Sequence, residues 1–168
     1  FAVIRSGGSN GDPVFRGMFG SRLNILTNGG AILGGCGSRM DTPTSYISPQ
    51  SYDRMTVIKG PQTVRWGPVG SAGTVLFERD PERFSEFGTR LDGTVLVGTD
   101  GRFDKLIDGT IGDRFGYVRF IGNQARAHDY HDGDGNRVPS KWEKWNGDVA
   151  MGWTPDQDTL LELSAGKG

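Results

Sequence analysis

The stretch Trp145-Asn146-Gly147-Asp148-Val149-Ala150-Met151-Gly152-Trp153 alternates between two characters. Successive side chains of an extended chain point to opposite sides. Trp145, Gly147, Val149, Met151 and Trp153 therefore share one face, and Asn146, Asp148, Ala150 and Gly152 share the other. A period of two argues for a strand, not a helix. Thr159, Leu161, Leu163 and Ala165 oppose Asp158, Leu160, Glu162 and Ser164 in the same way. Val95 and Val97 alternate with Thr94 and Leu96, and Ile107 and Ile111 sit opposite Asp108 and Gly112. Phe115 to Ala127 is less regular, since Arg119 and Arg126 fall on different faces. The expectation is an antiparallel meander of five strands from about residue 83 onward.

Alternation alone suits a water-soluble sandwich as well as a membrane sheet. The two tryptophans favour the membrane. Eight residues of strand separate them by about 26 Å, which a tilt of roughly 40° reduces to about 20 Å of height, near the apolar band that aromatic girdles flank in outer-membrane barrels. Both should point outward. The spacing of turns agrees: Asp113-Arg114 and Thr154-Pro155-Asp156-Gln157 are short, whereas 129–141 is long and polar. An antiparallel meander alternates ends with each strand, so the long loop should lie opposite both short turns.

Composition narrows the choice further. Glycine makes up 28 of 168 residues, and 35% of residues are hydrophobic, a balance that disfavours a helical bundle because glycine is costly inside helices. With 19 basic and 20 acidic side chains the net charge is -1, so no polybasic footprint for nucleic acid is present and no nucleic-acid partner is expected. No run of about 18 apolar residues exists for a membrane helix, a test to which barrel strands are invisible. Phe1 is not a plausible start and Gly168 follows an alternating run directly, so the chain is expected to be an internal piece of a longer one.

Residues 1–80 have a different grammar. Short apolar runs, Val3-Ile4, Leu23 to Leu26, Met55 to Ile58 and Thr74 to Phe77, are bounded by turn residues such as Asn28-Gly29-Gly30 and Gly60-Pro61, which reads as short strands joined by long loops. Ser48 suits an N-cap and Pro49 a first helical turn, so a mixed sheet with at least one short helix is expected here.

Ile58-Lys59-Gly60-Pro61-Gln62-Thr63-Val64-Arg65-Trp66-Gly67, followed by Gly70-Ser71-Ala72-Gly73-Thr74-Val75, resembles the plug signature of TonB-dependent outer-membrane receptors. Upstream, Arg16-Gly17-Met18-Phe19-Gly20 and Leu23-Asn24-Ile25-Leu26-Thr27-Asn28-Gly29 resemble a second stretch of that family, with Asn28 where aspartate is commoner. The Gly-rich run lacks the Gly-Lys-Ser/Thr ending of a phosphate-binding loop. The resemblance implies an α+β plug domain over 1–80 followed by antiparallel transmembrane β-barrel strands over 83–168, an incomplete barrel. It also implies a bacterial outer-membrane location, contact with outer-membrane lipid, and energy coupling by the TonB–ExbB–ExbD complex, whose contact segment would precede Phe1.

Within that family, Gly35-Cys36-Gly37-Ser38-Arg39-Met40-Asp41-Thr42-Pro43-Thr44 resembles the copper receptors. The resemblance implies that Cys36 and Met40 bind copper, as an ion or a complex, as transported substrate. A thiolate and a thioether are soft ligands that suit Cu(I), and two are too few for a closed site, so further ligands are expected elsewhere. Taken alone, the pair reads as a small buried cysteine and a gap-filling methionine; the polar Gly-Ser-Arg-Asp setting, poor for apolar burial, argues against that. Three glycines, Gly34, Gly35 and Gly37, disfavour a helix here.

Asp132, Asp134, Asn136 and Glu143 fall at EF-hand spacing, but Arg137 stands where glycine is needed and strands flank the loop, so 129–141 reads as a solvated loop, with His128 and His131 hydrated. No catalytic constellation is apparent, and Cys36 has no histidine near it in sequence to act as its base; no catalytic cofactor is expected. Two other functions stay open at this point: a siderophore or other metal-chelate receptor of the same family, and a secreted soluble β-rich binding protein.

Overall fold

The computed structural model describes residues 2–7, 10–36, 41–60, 64–67 and 70–168. The chain divides into two compact units, Phe1–Asp80 and Pro81–Gly168.

In the first unit, β1 (Ala2–Gly7) and β2 (Asn10–Val14) pair antiparallel as a separate hairpin. A four-stranded mixed sheet follows, built from β3 (Leu23–Thr27), β4 (Gly30–Ala31), β5 (Arg54–Lys59) and β6 (Gly73–Glu78). Their order is β4-β3-β6-β5. β3 runs parallel to β6, with Ile25 opposite Val75, and β5 runs antiparallel to it, with Val57 opposite Val75. β6 is central and buried over Gly73–Phe77, which explains why its sequence is a continuous apolar run without alternation. Ile25, Ile47, Val75 and Phe77 form the main core cluster, and the Tyr52 ring packs 5.6 Å from Phe77. The β3–β4 reversal places both Asn28 (φ 47) and Gly29 (φ 82) in the left-handed region, the backbone of a tight hairpin turn.

The short helix expected at Ser48-Pro49 is a 3-10 turn, Pro49–Ser51, and no α-helix occurs among the described residues. Among the described residues this unit holds 3-10 turns only, at Gly20–Arg22, Pro43–Tyr46, Pro49–Ser51 and Val64–Trp66. Pro49 does open a turn, but the Ser48 side chain does not cap it. Three residues later the chain must extend into β5, because Tyr52 packs on Phe77 and Asp53 bonds to the backbone beside Glu78. Among the described residues the unit is a mixed sheet with 3-10 turns. Pro61, Gln62 and Thr63 of the quoted signature lie outside the described residues.

The second unit is an antiparallel meander of β7 (Gly88–Val97), β8 (Phe103–Asp113), β9 (Gly116–Ala127), β12 (Trp142–Trp153) and β13 (Leu161–Lys167). Two short strands, β10 (Tyr130–His131) and β11 (Arg137–Val138), pair within the long loop. The sheet order is β13-β12-β9-β8-β7, so β7 and β13 are edges and no barrel closes within this chain.

Register turns the alternation into two chemically distinct faces. Across one row, Leu163, Met151, Val118 and Ile111 align; across another, Val149 and Phe120 align with Gly109 and Leu91. These large side chains, with Trp145 and Trp153, are exposed. The opposite face carries Tyr117, Arg119, Asp108 and Thr110, all buried. The irregularity expected in β9 resolves by position: Tyr117 to Ile121 alternates strictly, and Arg126 sits at the strand's end with its guanidinium 5.9 Å from the Phe103 ring.

The turns lie as the meander requires. The Thr154 N–H donates to the Phe115 carbonyl at 2.7 Å, joining the two short turns, while the His128 N–H donates to the Asp100 carbonyl at 2.9 Å at the other end, where the long loop begins.

Candidate functional site

Cys36 stands on the segment that leaves the mixed sheet after β4. Ile32 still belongs to the sheet: its N–H reaches the Ile25 carbonyl and its side chain packs on the core cluster. Leu33 is 85% exposed, and the chain continues through Gly34 and Gly35 to a half-buried Cys36. It returns at Asp41 and enters the 3-10 turn Pro43–Tyr46. As the chain's single cysteine, Cys36 forms no disulfide within it.

The neck of this excursion is tight. A Cβ added to Gly34 would collide with the Asp41 carbonyl oxygen and lie 3.2 Å from Pro43 Cδ. One added to Gly35 would meet the Asp41 carboxylate and lie 2.8 Å from the Tyr46 hydroxyl. The two glycines are needed for close approach, and Gly34, Gly35 and Cys36 are not helical, in line with expectation.

On the return side, Thr42 is fully buried. Its hydroxyl lies 2.8 Å from that of Thr44, which donates in turn to the Gly11 carbonyl. Tyr46 donates its hydroxyl to the Asp41 carboxylate, and that bond raises the tyrosine pKa above its ordinary value.

Cys36 is half-buried, the last described residue before position 41. Met40 and Gly37 lie outside the described residues, so the pairing of the two sulfurs is not described. Among the described residues, no three His, Cys, Asp or Glu side chains are grouped as metal ligands. The carboxylates of the long loop bind its own backbone instead. Asp132 accepts from the N–H groups of Asp134 and Asn136 at 3.0 and 2.8 Å. Asp129 accepts from those of Ser140 and Lys141 at 2.8 and 2.7 Å, and from Arg137 Nε.

Sequence reasoning missed the Asp41–Tyr46 pair. Asp41 stood in the quoted motif, but a contact five residues on depends on a chain reversal with no periodic signature. It also missed the ionic cluster on the buried face of the second unit. There Arg119 meets Asp108, Arg90 meets Glu82 at 2.5 Å, and Tyr117 bonds to Glu162.

Residues 2–74 match the TonB-dependent Receptor Plug Domain. A solved structure of the "Copper transporter OprC" is similar to this chain with a TM-score of 0.92 and 70% sequence identity, over 99% of this chain and 26% of that one. The chain thus spans about a quarter of the length of that transporter. No curated protein matches it.

Proposed function

We propose that this chain is the plug (1–80) and the first barrel strands (83–168) of a TonB-dependent receptor that imports copper across the bacterial outer membrane. The observation that carries this reading is 70% identity to a copper transporter over nearly the whole chain. Cys36 and Met40 are the metal ligands in it. The Cys36 thiolate supplies charge and softness, and Met40 a neutral thioether, a pair suited to Cu(I). Residues outside this chain complete the coordination. Gly34 and Gly35, just before Cys36, approach Asp41 closely. The TonB–ExbB–ExbD complex supplies the energy for passage, and the exposed apolar face of the meander meets outer-membrane lipid.

Metal analysis of the purified full-length receptor tests this reading. Cys36→Ala is expected to abolish copper binding or weaken it greatly, and Met40→Ala to weaken it less. Wild-type copper stoichiometry in the double variant would overturn the assignment. Neither change is expected to unfold the protein, since Cys36 belongs to neither core cluster.

A further inference from the structure

Given the lipid-facing reading of the meander proposed above, on which this rests, we infer that its exposed apolar face holds an anionic phospholipid. The phosphate lies between Lys105 and Arg126, and one acyl chain fills a groove over Gly122 and Gly147. Register shows how that face is divided. Toward the short turns, the row Thr89, Ile111, Val118, Met151 and Leu163 carries no charge, nor does the next, from Leu91 through Gly109, Phe120 and Val149 to Ala165. The rows nearer the long loop place Lys167 opposite Gly147, Lys105 opposite Gln124, and Arg126 between Phe103 and Glu143. The strand cations of this face are thus gathered at one end, three of them against one carboxylate.

Among the described residues none of the three cations is joined to a carboxylate. Glu143, opposite Arg126, accepts instead from the Gln124 side chain at 2.5 Å. On the other face of the sheet Arg90 and Arg119 are both paired. Lys105 and Arg126 are diagonal neighbours on β8 and β9, since Lys105 pairs with Gln124 and Phe103 with Arg126, and long side chains reach across that distance. Two like charges beside apolar surface favour an anion between them, and phosphate oxygens accept from both side-chain types.

Beside these cations lies a groove of about 610 Å³, walled by Lys105, Ile107, Phe120 and Trp145, with Gly122 and Gly147 in register as its floor. That volume falls within the range of about 300–1,000 Å³ seen for small-molecule sites. A Cβ added at Gly147 would meet nothing within 4 Å, and one at Gly122 only the Phe120 and Ile107 side chains, at 3.5–3.7 Å. Packing within the sheet therefore demands glycine at neither position, and the space is open to a chain from outside. An apolar groove with a cationic rim and a tryptophan beside it matches a lipid with an acidic head and an apolar tail.

Trp145 reports on the groove. The full-length receptor is reconstituted into phosphatidylcholine vesicles that contain a minor share of brominated phosphatidylglycerol, or the same share of brominated phosphatidylcholine. The Trp145 signal is the difference from Trp145→Phe. Brominated phosphatidylglycerol is expected to quench that signal several-fold more than its neutral counterpart. Lys105→Gln, and Gly147→Leu, which fills the groove from open space, are each expected to bring the two lipids to equal quenching. Equal quenching in the wild type would overturn the site and leave the lipid-facing sheet standing. A preference that survives both substitutions would overturn it as well. So would a preference abolished by inorganic phosphate but not by chloride of equal ionic strength, which would assign the cations to a free anion. Quenching of Trp145 by neither lipid would overturn the lipid-facing reading itself, and chains that then cross-link as dimers would assign the groove to a second copy.

Discussion

Arg119 grips Asp108 across adjacent strands, its Nη2 2.5 Å from Oδ2 and its Nε 3.0 Å from Oδ1. The two residues are diagonal neighbours on one face, because Asp108 pairs in register with Ile121 and long side chains reach such positions. The Arg119 side chain is 4% exposed and that of Asp108 10%, with Glu82 3.7 Å from the same guanidinium.

Removing the Arg119 cation would leave Arg90, 2.5 Å from Glu82 and 3.6 Å from Asp108, as the remaining partner of both carboxylates. Arg119→Met in the full-length receptor is therefore expected to cost about 1–3 kcal/mol, less than for a fully uncompensated buried charge. Asp108→Leu added to it should recover part of that loss. Denaturant unfolding measures both, and a loss below about 1 kcal/mol for Arg119→Met would show that the pair is solvated in the receptor.

Trp145 and Trp153 are 50% and 55% exposed on the face that also carries Val149 and Met151. In receptor reconstituted into bilayers, lipid-attached quenchers are expected to reduce the fluorescence of both. Variants that keep one tryptophan at a time separate the two signals. Quenching by an aqueous agent alone would return the strands to a water-soluble sheet.

The meander was legible because each residue of a strand declares its side. Leu161 and Leu163 against Glu162 is enough to fix the facing of β13, and the same holds for β12. The plug strands were legible for a different reason: their short apolar runs end at residues that turn the chain, such as Asn28-Gly29. β2 was not, since Asn10–Val14 has no apolar period and pairs through its backbone. β4, of two residues, carries too little sequence to signal anything. The Ser48-Pro49 helix start was legible but runs for one 3-10 turn, because Tyr52 packs on Phe77 and the chain extends there. At the site, Cys36 was found through a family motif, whereas the neck around it depends on which backbone atoms approach Gly34 and Gly35 once the chain has folded back.

Gly73 opens β6 with φ 149, and a Cβ there would run into the Ile58 carbonyl of the neighbouring strand. Both the backbone conformation and the lack of space oppose any side chain. Gly73→Ala is expected to destabilise the first unit by about 2–3 kcal/mol, read as a lower thermal midpoint. Gly29→Ala has open space at the new Cβ and should cost less, only the strain of its positive φ.

Asp129 governs the long loop's response to acid. Hydrogen bonds from the Ser140 and Lys141 N–H groups, and then from Arg137, lower its pKa from 3.8 to about 2. The carboxylate is the form these donors hold, so its contribution to loop order is complete above the ordinary value near 3.8. It falls away as pH drops through about 2. The expected result is a loop from 128 to 141 that keeps its amide hydrogen-exchange protection at pH 4.5 and loses it near pH 2, while the strands on either side stay protected. Asp129→Asn removes the charge without removing the acceptor shape, so it should loosen Ser140 and Lys141 already at neutral pH and flatten the acid transition. A loop equally protected at pH 4.5 and pH 2 in the wild type would show that Arg137 and the β10–β11 pairing hold it without this carboxylate.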